Sequence, residues 1–399
     1  MAISDHNLEC CGCAACVDVC PQKAISMVED NETFLYPHVD TSLCIDCNLC
    51  EKVCPLNFSD FQEVDDVKSF VGTHKSEDVI YDSSSGGAFT ALLQIYTQNG
   101  YSVYGAEYCD HLQVKHGVAR SLEDCFKFRK SKYIQSNTEG CFRSVAEDLK
   151  AGYKVLFSGV SCQIAALKNF LKTKSIPIDG LVTVNILCHG VPSQKIFDCY
   201  IAEEEEEGAR VYQFRFKNKN AVKEEINSRT AYVEFNNGHK YIRTIQNDPF
   251  LRGYYRRLFY RPSCAVCHFT RKERISDFTI ADAWNIEKLY PEFNPLAGCS
   301  LILLNTSKAL DVLEEIKKVM VLTEVSSEWA LNSQALFKKP TSMHKNRDLF
   351  FKRWRKMSFR RAVFSCTRPT VSKLLAGFIP KDVKEQMKKT LLMKICLNG

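Results

Sequence analysis

No stretch of this 399-residue sequence approaches the roughly 18 consecutive apolar residues that a membrane-spanning helix needs. A transmembrane segment is therefore not expected. The first residues lack the basic start and apolar run of a secretory signal, which makes the cytoplasm the expected compartment. Neither a Walker phosphate loop nor a G-x-G-x-x-G turn occurs, so a nucleoside triphosphate site and a Rossmann nicotinamide site have no support. Basic and aromatic residues alternate at Arg353, Trp354 and Arg355, but no nucleic-acid motif surrounds them and no nucleic-acid partner is expected.

With 45% hydrophobic and 25% charged residues, the composition is that of a globular protein of two or three domains. Charge is unevenly spread. Residues 1–66 hold 13 acids against 2 Lys and Arg, a net −11, while residues 345–399 hold 15 bases against 3 acids, a net +12. Such a basic tail could meet an acidic membrane, nucleic acid or the chain's own acidic head, or could simply be a solvated helical surface. The glutamates Glu203 to Glu207 read as the end of an exposed helix.

Cysteine is abundant, with 20 residues. In a reducing compartment that density points to metal rather than disulfides. Cys10, Cys13, Cys16 and Cys20 form C-x2-C-x2-C-x3-C-P, and Cys44, Cys47, Cys50 and Cys54 repeat it; Cys11 falls outside the frame. Three thiolates two residues apart wrap one cubane, and the cysteine before proline serves the other cluster. The expected sets are Cys10, Cys13, Cys16 and Cys54, then Cys44, Cys47, Cys50 and Cys20. Zinc sites have no use for the third cysteine of each loop. Residues 1–62 thus read as a small α+β ferredoxin-like domain with two 4Fe-4S clusters, resembling the two-cluster bacterial ferredoxins.

After an Asp-rich joint at residues 60–66, short apolar strands alternate with helical segments, giving an α/β body with a mixed, partly parallel sheet over residues 67–340, followed by a basic helical tail over 341–399. A strand at Val155 to Phe157 leads into a helix from Cys162, and one at Val182 to Leu187 into a helix near Ser193. An Asn-Gly turn marks a hairpin around Asn237. Cys162 and Cys188 fall where strands end, at the edge where open parallel sheets collect ligands. With the C-x2-C pair Cys264 and Cys267 they could form a four-thiolate site, open between a third 4Fe-4S cluster, zinc and inert thiols. Cys109, Cys125, Cys141, Cys199, Cys299, Cys366 and Cys396 read as ordinary core thiols. Ser83, Ser84, Ser85, Gly86 and Gly87 feed directly into a helix, a setting suited to an anion or a cofactor's pyrophosphate.

The phrases SSSGGAFTALL, KSKYIQS, VLFSGVSCQIAALKNFL, ILCHGVPS, YRPSCAVCHF and RISDFTIADAW together resemble the beta-subunit family of coenzyme F420 (deazaflavin) hydrogenases and dehydrogenases, over about Phe70 to Pro340. The family also includes chlorophyll-side-chain reductases and bacterial proteins associated with polysaccharide genes. The resemblance implies FAD beside a 4Fe-4S cluster held by Cys162, Cys188, Cys264 and Cys267. Ser84, Ser85, Gly86, Gly87, Lys132, Tyr133, Gln135, Gly159 and Gly190 would then line the flavin pocket. Ser158 to Cys162 reads SGVSC where members have SGTPC, and Ala281 to Asn285 reads ADAWN where they have GDFWG, so deazaflavin specificity is not implied.

The expected function is an iron-sulfur flavoprotein oxidoreductase. Electrons from a ferredoxin-like donor would pass through the clusters to FAD and a small-molecule or glycan-related substrate, in polysaccharide or related biosynthesis. His189 and Lys132 are the candidate proton donors. The alternative is a non-catalytic electron-transfer subunit of a larger redox complex, and an oligomeric state is left open.

Overall fold

A computed structural model describes residues 8–61, 67–205, 209–216, 230–294 and 297–368. The head is a two-fold-like unit. Strands β1 (Ile25–Glu29) and β2 (Leu35–Val39) form an antiparallel hairpin, and the short helices Ala15–Val19 and Leu49–Lys52 each follow a cysteine loop.

The body is built on an eight-stranded sheet. Its strands are β3 (Lys68–His74), β4 (Tyr101–Tyr108), β5 (Val114–Ala119), β6 (Lys154–Gly159), β7 (Leu181–Ile186), β11 (Phe278–Asp282), β12 (Ser300–Leu304) and β13 (Met320–Val325), in the order β13-β3-β12-β11-β7-β6-β4-β5. The central four, β11, β7, β6 and β4, run parallel, and β5, β12 and β13 pair antiparallel to their neighbours. Central strands are apolar on both faces, as parallel strands covered by helices must be: Val155, Leu156, Phe157 and Val184 have no solvent exposure. The strand-helix units expected from the sequence are present, with Ser193 capping the helix Gln194–Glu204 through Ile196 N. Strands β3, β4, β5, β11 and β13 go beyond that reading.

The Asn-Gly hairpin is not an addition to this sheet. Strands β8 (Val211–Phe216), β9 (Thr230–Phe235) and β10 (Lys240–Thr244) make a separate antiparallel sheet. The described part of the basic tail, helices Arg347–Trp354 and Phe359–Thr367, packs into the same core through Phe350, Phe351 and Phe359. It is therefore no solvated appendage, because its apolar side is the wall of an aromatic cluster with Phe250 and Phe259. Residues 369–399 of the expected tail, Glu206, Glu207 and Cys396 lie outside the described residues.

Charge explains how the tail is seated. Arg347 forms a two-pronged pair with Glu32 of the head (2.8 and 2.5 Å), and Arg355 donates to Asn31 O (2.9 Å). Within the described part of the basic segment, these residues contact the acidic head. Glu204 is buried, contrary to the exposed helix end expected there: it accepts from Tyr241, Arg243 and Arg360, while Glu203 receives Phe359 N and Arg360 N at the tail helix's start. Nine-tenths burial is tolerable for that carboxylate because two guanidinium groups face it.

Candidate functional site: a thiol relay opening on a cleft

Both cysteine loops carry left-handed backbone at matching steps. Gly12 and Asp46 (φ 67° and 50°) precede the second cysteine, and Ala14 and Asn48 (φ 55° and 58°) follow it. A non-glycine residue held there costs about 1–2 kcal/mol, so repetition of the same strained path in two unrelated sequences indicates a common object to wrap. Cys20 joins Cys44, Cys47 and Cys50 around one hollow of about 500 Å³. Cys54 instead lies beside Cys10 and Cys16, whose fields act on one another. The two proline-linked cysteines have thus crossed between loops. Burial pushes the Cys16 thiol well up and that of Cys54 to about 12, so both are neutral until a metal removes the proton. Among the described residues no three Cys, His, Asp or Glu side chains converge on a point that would hold a single ion.

The body grips the first loop through most of its carbonyls and touches the second motif at its proline-linked end. Arg261 Nε donates to Cys10 O (2.7 Å), Gln135 Nε2 to Cys11 O and Gly12 O (3.0 and 3.1 Å), and Thr138 Oγ1 to Cys13 O (2.7 Å). Asn169 Nδ2 donates to Cys54 O (3.0 Å). Asp18 in turn receives Gly140 N and Phe142 N, capping the body helix Cys141–Lys150. A Cβ on Gly12 would stand 2.6 Å from Gln135 Nε2 and 2.7 Å from Arg261 Nη1, so glycine is required where the loop meets the body. The second loop faces outward: Cys47 is exposed, as are Leu43 and Ile45.

Cys162, Cys188, Cys264 and Cys267, from three separate parts of the sequence, line one further hollow of about 750 Å³ with Cys11 and His268. The Cys11 thiol is within hydrogen-bonding reach of both Cys13 and Cys162, and these two contacts hold its proton affinity down. It therefore stands between the first loop and the body set, although its sequence position outside the repeat gave it no role. Burial raises the Cys188 thiol to about 11, with Gly190 N donating to its sulfur at 3.3 Å.

On the other side of Cys162 and Cys188 opens a cleft enclosing about 290 Å³ within a wider basin of about 1650 Å³ that includes open solvent. It lies at the carboxyl ends of β6, β7 and β11, the edge where open parallel sheets collect ligands. Of the residues expected at a flavin, Ser84, Ser85, Gly87, Lys132, Tyr133, Gln135, Gly159, His189 and Gly190 all line it. Gly86 does not: it is wedged against Gly72 O and Ser300 N, where a Cβ would come within 2.4 and 2.6 Å. Gly87 caps the helix Ala88–Gln98 at φ 91° and offers no side chain to its first turn. Across from it stand Arg129 and Lys130, both paired with Asp82, and Arg129 Nε is buried without a hydrogen-bond partner.

Several residues are placed differently from a simple lining role. Lys132 Nζ donates to the carbonyls of Lys127, Arg129 and Lys130 (3.1, 2.9 and 3.4 Å). Burial pushes its amine down to about 7, yet each of its protons already has an acceptor in its own loop. It pins that loop, and delivering a proton would break one of the bonds that hold it. Gln135 has committed its amide to the head and to Arg261. Tyr133 stacks on Tyr254 (4.5 Å, 8°) as part of the aromatic core. His189 is exposed into the cleft and also borders the thiol hollow.

The sequence reading missed His116. It is half-buried in the cleft wall, bridging Ser136 Oγ (2.7 Å) and Ser158 O (3.0 Å) and stacked on Phe157. A lone histidine in a strand carried no signal. Arg261 lay inside a phrase already singled out, three residues before Cys264, but only the fold brings it to Cys10.

Comparisons with known proteins agree with this division. Residues 152–328 match the model for the C terminus of the coenzyme F420 hydrogenase/dehydrogenase beta subunit, and residues 9–58 that of a 4Fe-4S dicluster domain. A 7Fe ferredoxin from Hydrogenibacillus schlegelii is 43% identical over 44 residues, 11% of this chain and 50% of that protein. A ferredoxin from Alicyclobacillus acidocaldarius subsp. acidocaldarius is 37% identical over 65 residues, 16% of this chain and 77% of that one. The chain thus spans half the length of the first of these relatives. A chain of the F420-reducing NiFe hydrogenase complex from Methanosarcina barkeri superposes with a TM-score of 0.44 at 16% identity, covering 78% of this chain and 92% of that one. No helix among the described residues is long and apolar enough to cross a membrane. Over residues 9–58 the chain is thus a 4Fe-4S dicluster domain of ferredoxin type, and its residues 152–328 match the C-terminal model of the coenzyme F420 hydrogenase/dehydrogenase beta subunit.

Proposed function

We propose that this chain is an iron-sulfur flavoprotein oxidoreductase. In this reading Cys162, Cys188, Cys264 and Cys267 hold a third 4Fe-4S cluster, and the adjoining cleft holds FAD and a small-molecule substrate. The observation that carries it is the shared wall: Cys162 and Cys188 border the thiol hollow on one side and the cleft on the other, with Cys11 leading from the first loop to both.

The residues fit the groups they would hold. Four thiols lining one hollow are the donor set that a 4Fe-4S cubane takes. The cleft's enclosed space of about 290 Å³ sits at the lower edge of the roughly 300–1,000 Å³ of ordinary ligand pockets, so its lining rather than its size is what favours a cofactor. Its uncapped helix start at Gly87, the free Nε of Arg129 and the Lys130 ammonium suit a pyrophosphate. A bound flavin would supply the exchange between single-electron and hydride chemistry. His189 is positioned to donate a proton to a reduced product, while Lys132 keeps the cationic loop in place. The outward-facing Cys44 to Cys50 loop is the entry point for a redox partner, since the first loop is enclosed by the body.

Anaerobic purification with iron, sulfide and flavin analysis tests the reading. About twelve irons and about one flavin per chain are expected, given four irons per cubane. Eight irons with no flavin would overturn it and leave a chain that wires electrons between partners.

A further inference from the structure

The two largest side chains fully withdrawn from solvent are arginines, Arg261 (0% exposed) and Arg274 (1%). Neither forms a salt bridge among the described residues. Arg261 donates to Cys10 O, Leu35 O and Gln135 Oε1 (2.7, 2.8 and 3.2 Å) and lies over the Tyr36 ring. Arg274 donates to Arg271 O (2.8 Å), lies over the Phe337 ring at 4.9 Å and leaves its Nε unpartnered. The acid beside it, Glu273, makes no ion pair with it. Burying a cation against neutral acceptors alone is strongly unfavourable unless an anion nearby offsets it. The field of the Glu273 carboxylate reaches Arg274, and beyond it thiols lie within electrostatic reach of the two arginines. Arg261 acts on Cys10, Cys11 and Cys264, and Arg274 on Cys267.

The outer loop has the opposite surroundings. The Cys44 thiol points at Asp46 Oδ1 (3.8 Å), and Asp40 and Glu51 flank it in a head whose only bases are Lys23 and Lys52. A cubane held by four thiolates is anionic and gains a further negative charge on reduction. Charges fixed close to it therefore set its potential.

We propose that Arg261 and Arg274 are the internal counter-charges of the inner iron-sulfur sites. Arg261 is shared between the Cys10 loop and the body thiols, and Arg274 serves the body thiols alone. Both favour reduction there over the acidic outer loop, giving the relay a direction from surface to cleft. Arg274's part rests on the third cluster proposed above; Arg261's needs only the head.

The experiment compares Arg261→Met, Arg261→Lys, Arg274→Met and Arg274→Lys in the full chain, purified anaerobically, by iron content and potentiometric titration followed by electron paramagnetic resonance. Arg274→Met should lower the potential of one inner cluster by at least about a tenfold change in its reduction equilibrium, about 59 mV for one electron. Arg261→Met should lower two, and the outer cluster should stay put. The Lys variants, which keep the charge, should titrate close to the unsubstituted chain. Met and Lys variants that behave alike at both positions would overturn the proposal, as would equal shifts at the outer cluster. If a Met variant sheds iron that its Lys counterpart keeps, charge is again the deciding property; loss from both would refute it. An unsubstituted chain with eight irons removes the third cluster and Arg274's role with it, while Arg261 still stands or falls on the head potentials.

Discussion

Mild acid should loosen the cleft through one residue, His116. Its Nε2 faces the Ser158 carbonyl, which can only accept, so Nε2 carries the ring proton and Nδ1 accepts from the Ser136 hydroxyl. The ring is neutral with both nitrogens satisfied. Burial pushes its proton affinity down to about 4 from 6.5, with the Lys132 ammonium nearby acting in the same direction. A histidine whose pKa is depressed by folding contributes stability that is complete above pH 6.5 and is lost as pH falls toward 4. The interval between those values corresponds to about 3 kcal/mol, of which about 2 kcal/mol is gone by pH 5. His116→Gln cannot titrate and removes that dependence. Thermal unfolding of both proteins at pH 7.5 and pH 5 isolates the effect, because acid damage to the cysteine loops is common to both. The variant should melt lower at pH 7.5, and the gap should narrow by about 2 kcal/mol, a few degrees for a chain of this size, at pH 5. A gap of constant size across that range would show that the half-buried neutral ring is not what the fold relies on.

Replacing Cys264 with Ser should lower iron content by about four per chain while leaving the two ferredoxin-type clusters spectroscopically intact; full iron content in that variant would defeat the body assignment. Gly12→Ala should release the head, since the new Cβ collides with Gln135 and Arg261 besides costing about 1–2 kcal/mol of backbone strain. Gly152→Ala, also at positive φ but with nothing within 4 Å, is its control; equal thermal shifts for the two would refute the collision argument. Arg347→Ala should cost about 1.5–3 kcal/mol through its charged hydrogen bonds to Glu32. A double-mutant cycle with Glu32→Gln showing no coupling would deny that the tail secures the head.

The cysteine repeat was legible because a cubane imposes its spacing on a local loop. The crossing of Cys20 and Cys54 was equally open to expectation, since it follows from how far each loop can reach. The body thiols were partly legible: Cys162 and Cys188 end strands that announce themselves by apolar runs, and their meeting with Cys264 and Cys267 depends on sheet order, which no local pattern encodes. Gly86 was misplaced because a Gly pair looks the same whether the backbone approaches a ligand or, as here, the backbone of Gly72 and Ser300. Lys132 was placed in the right loop, but its acceptors lie within five residues of it and compete for its protons. The separate small sheet and the tail's aromatic seat escaped notice because charge dominates the composition of residues 345–368, while Phe350, Phe351 and Phe359 decide where it packs.

The two cysteine loops are nearly equivalent in cysteine spacing and in backbone, yet the body makes them unequal. Carbonyls of Cys10, Cys11, Gly12 and Cys13 all accept hydrogen bonds from body side chains, and that loop's helix caps another through Asp18. A ferredoxin that shuttled between partners would need both loops near its surface. Here one is enclosed and linked through Cys11 to the body thiols, and the other keeps Cys47, Ile45 and Leu43 exposed among acids. The order in which an electron would meet the three thiol sets is therefore set by side chains outside the motif. A substitution at Gln135 or Thr138, far in sequence from the proposed cluster ligands, should disturb transfer between head and body while leaving every ligand in place.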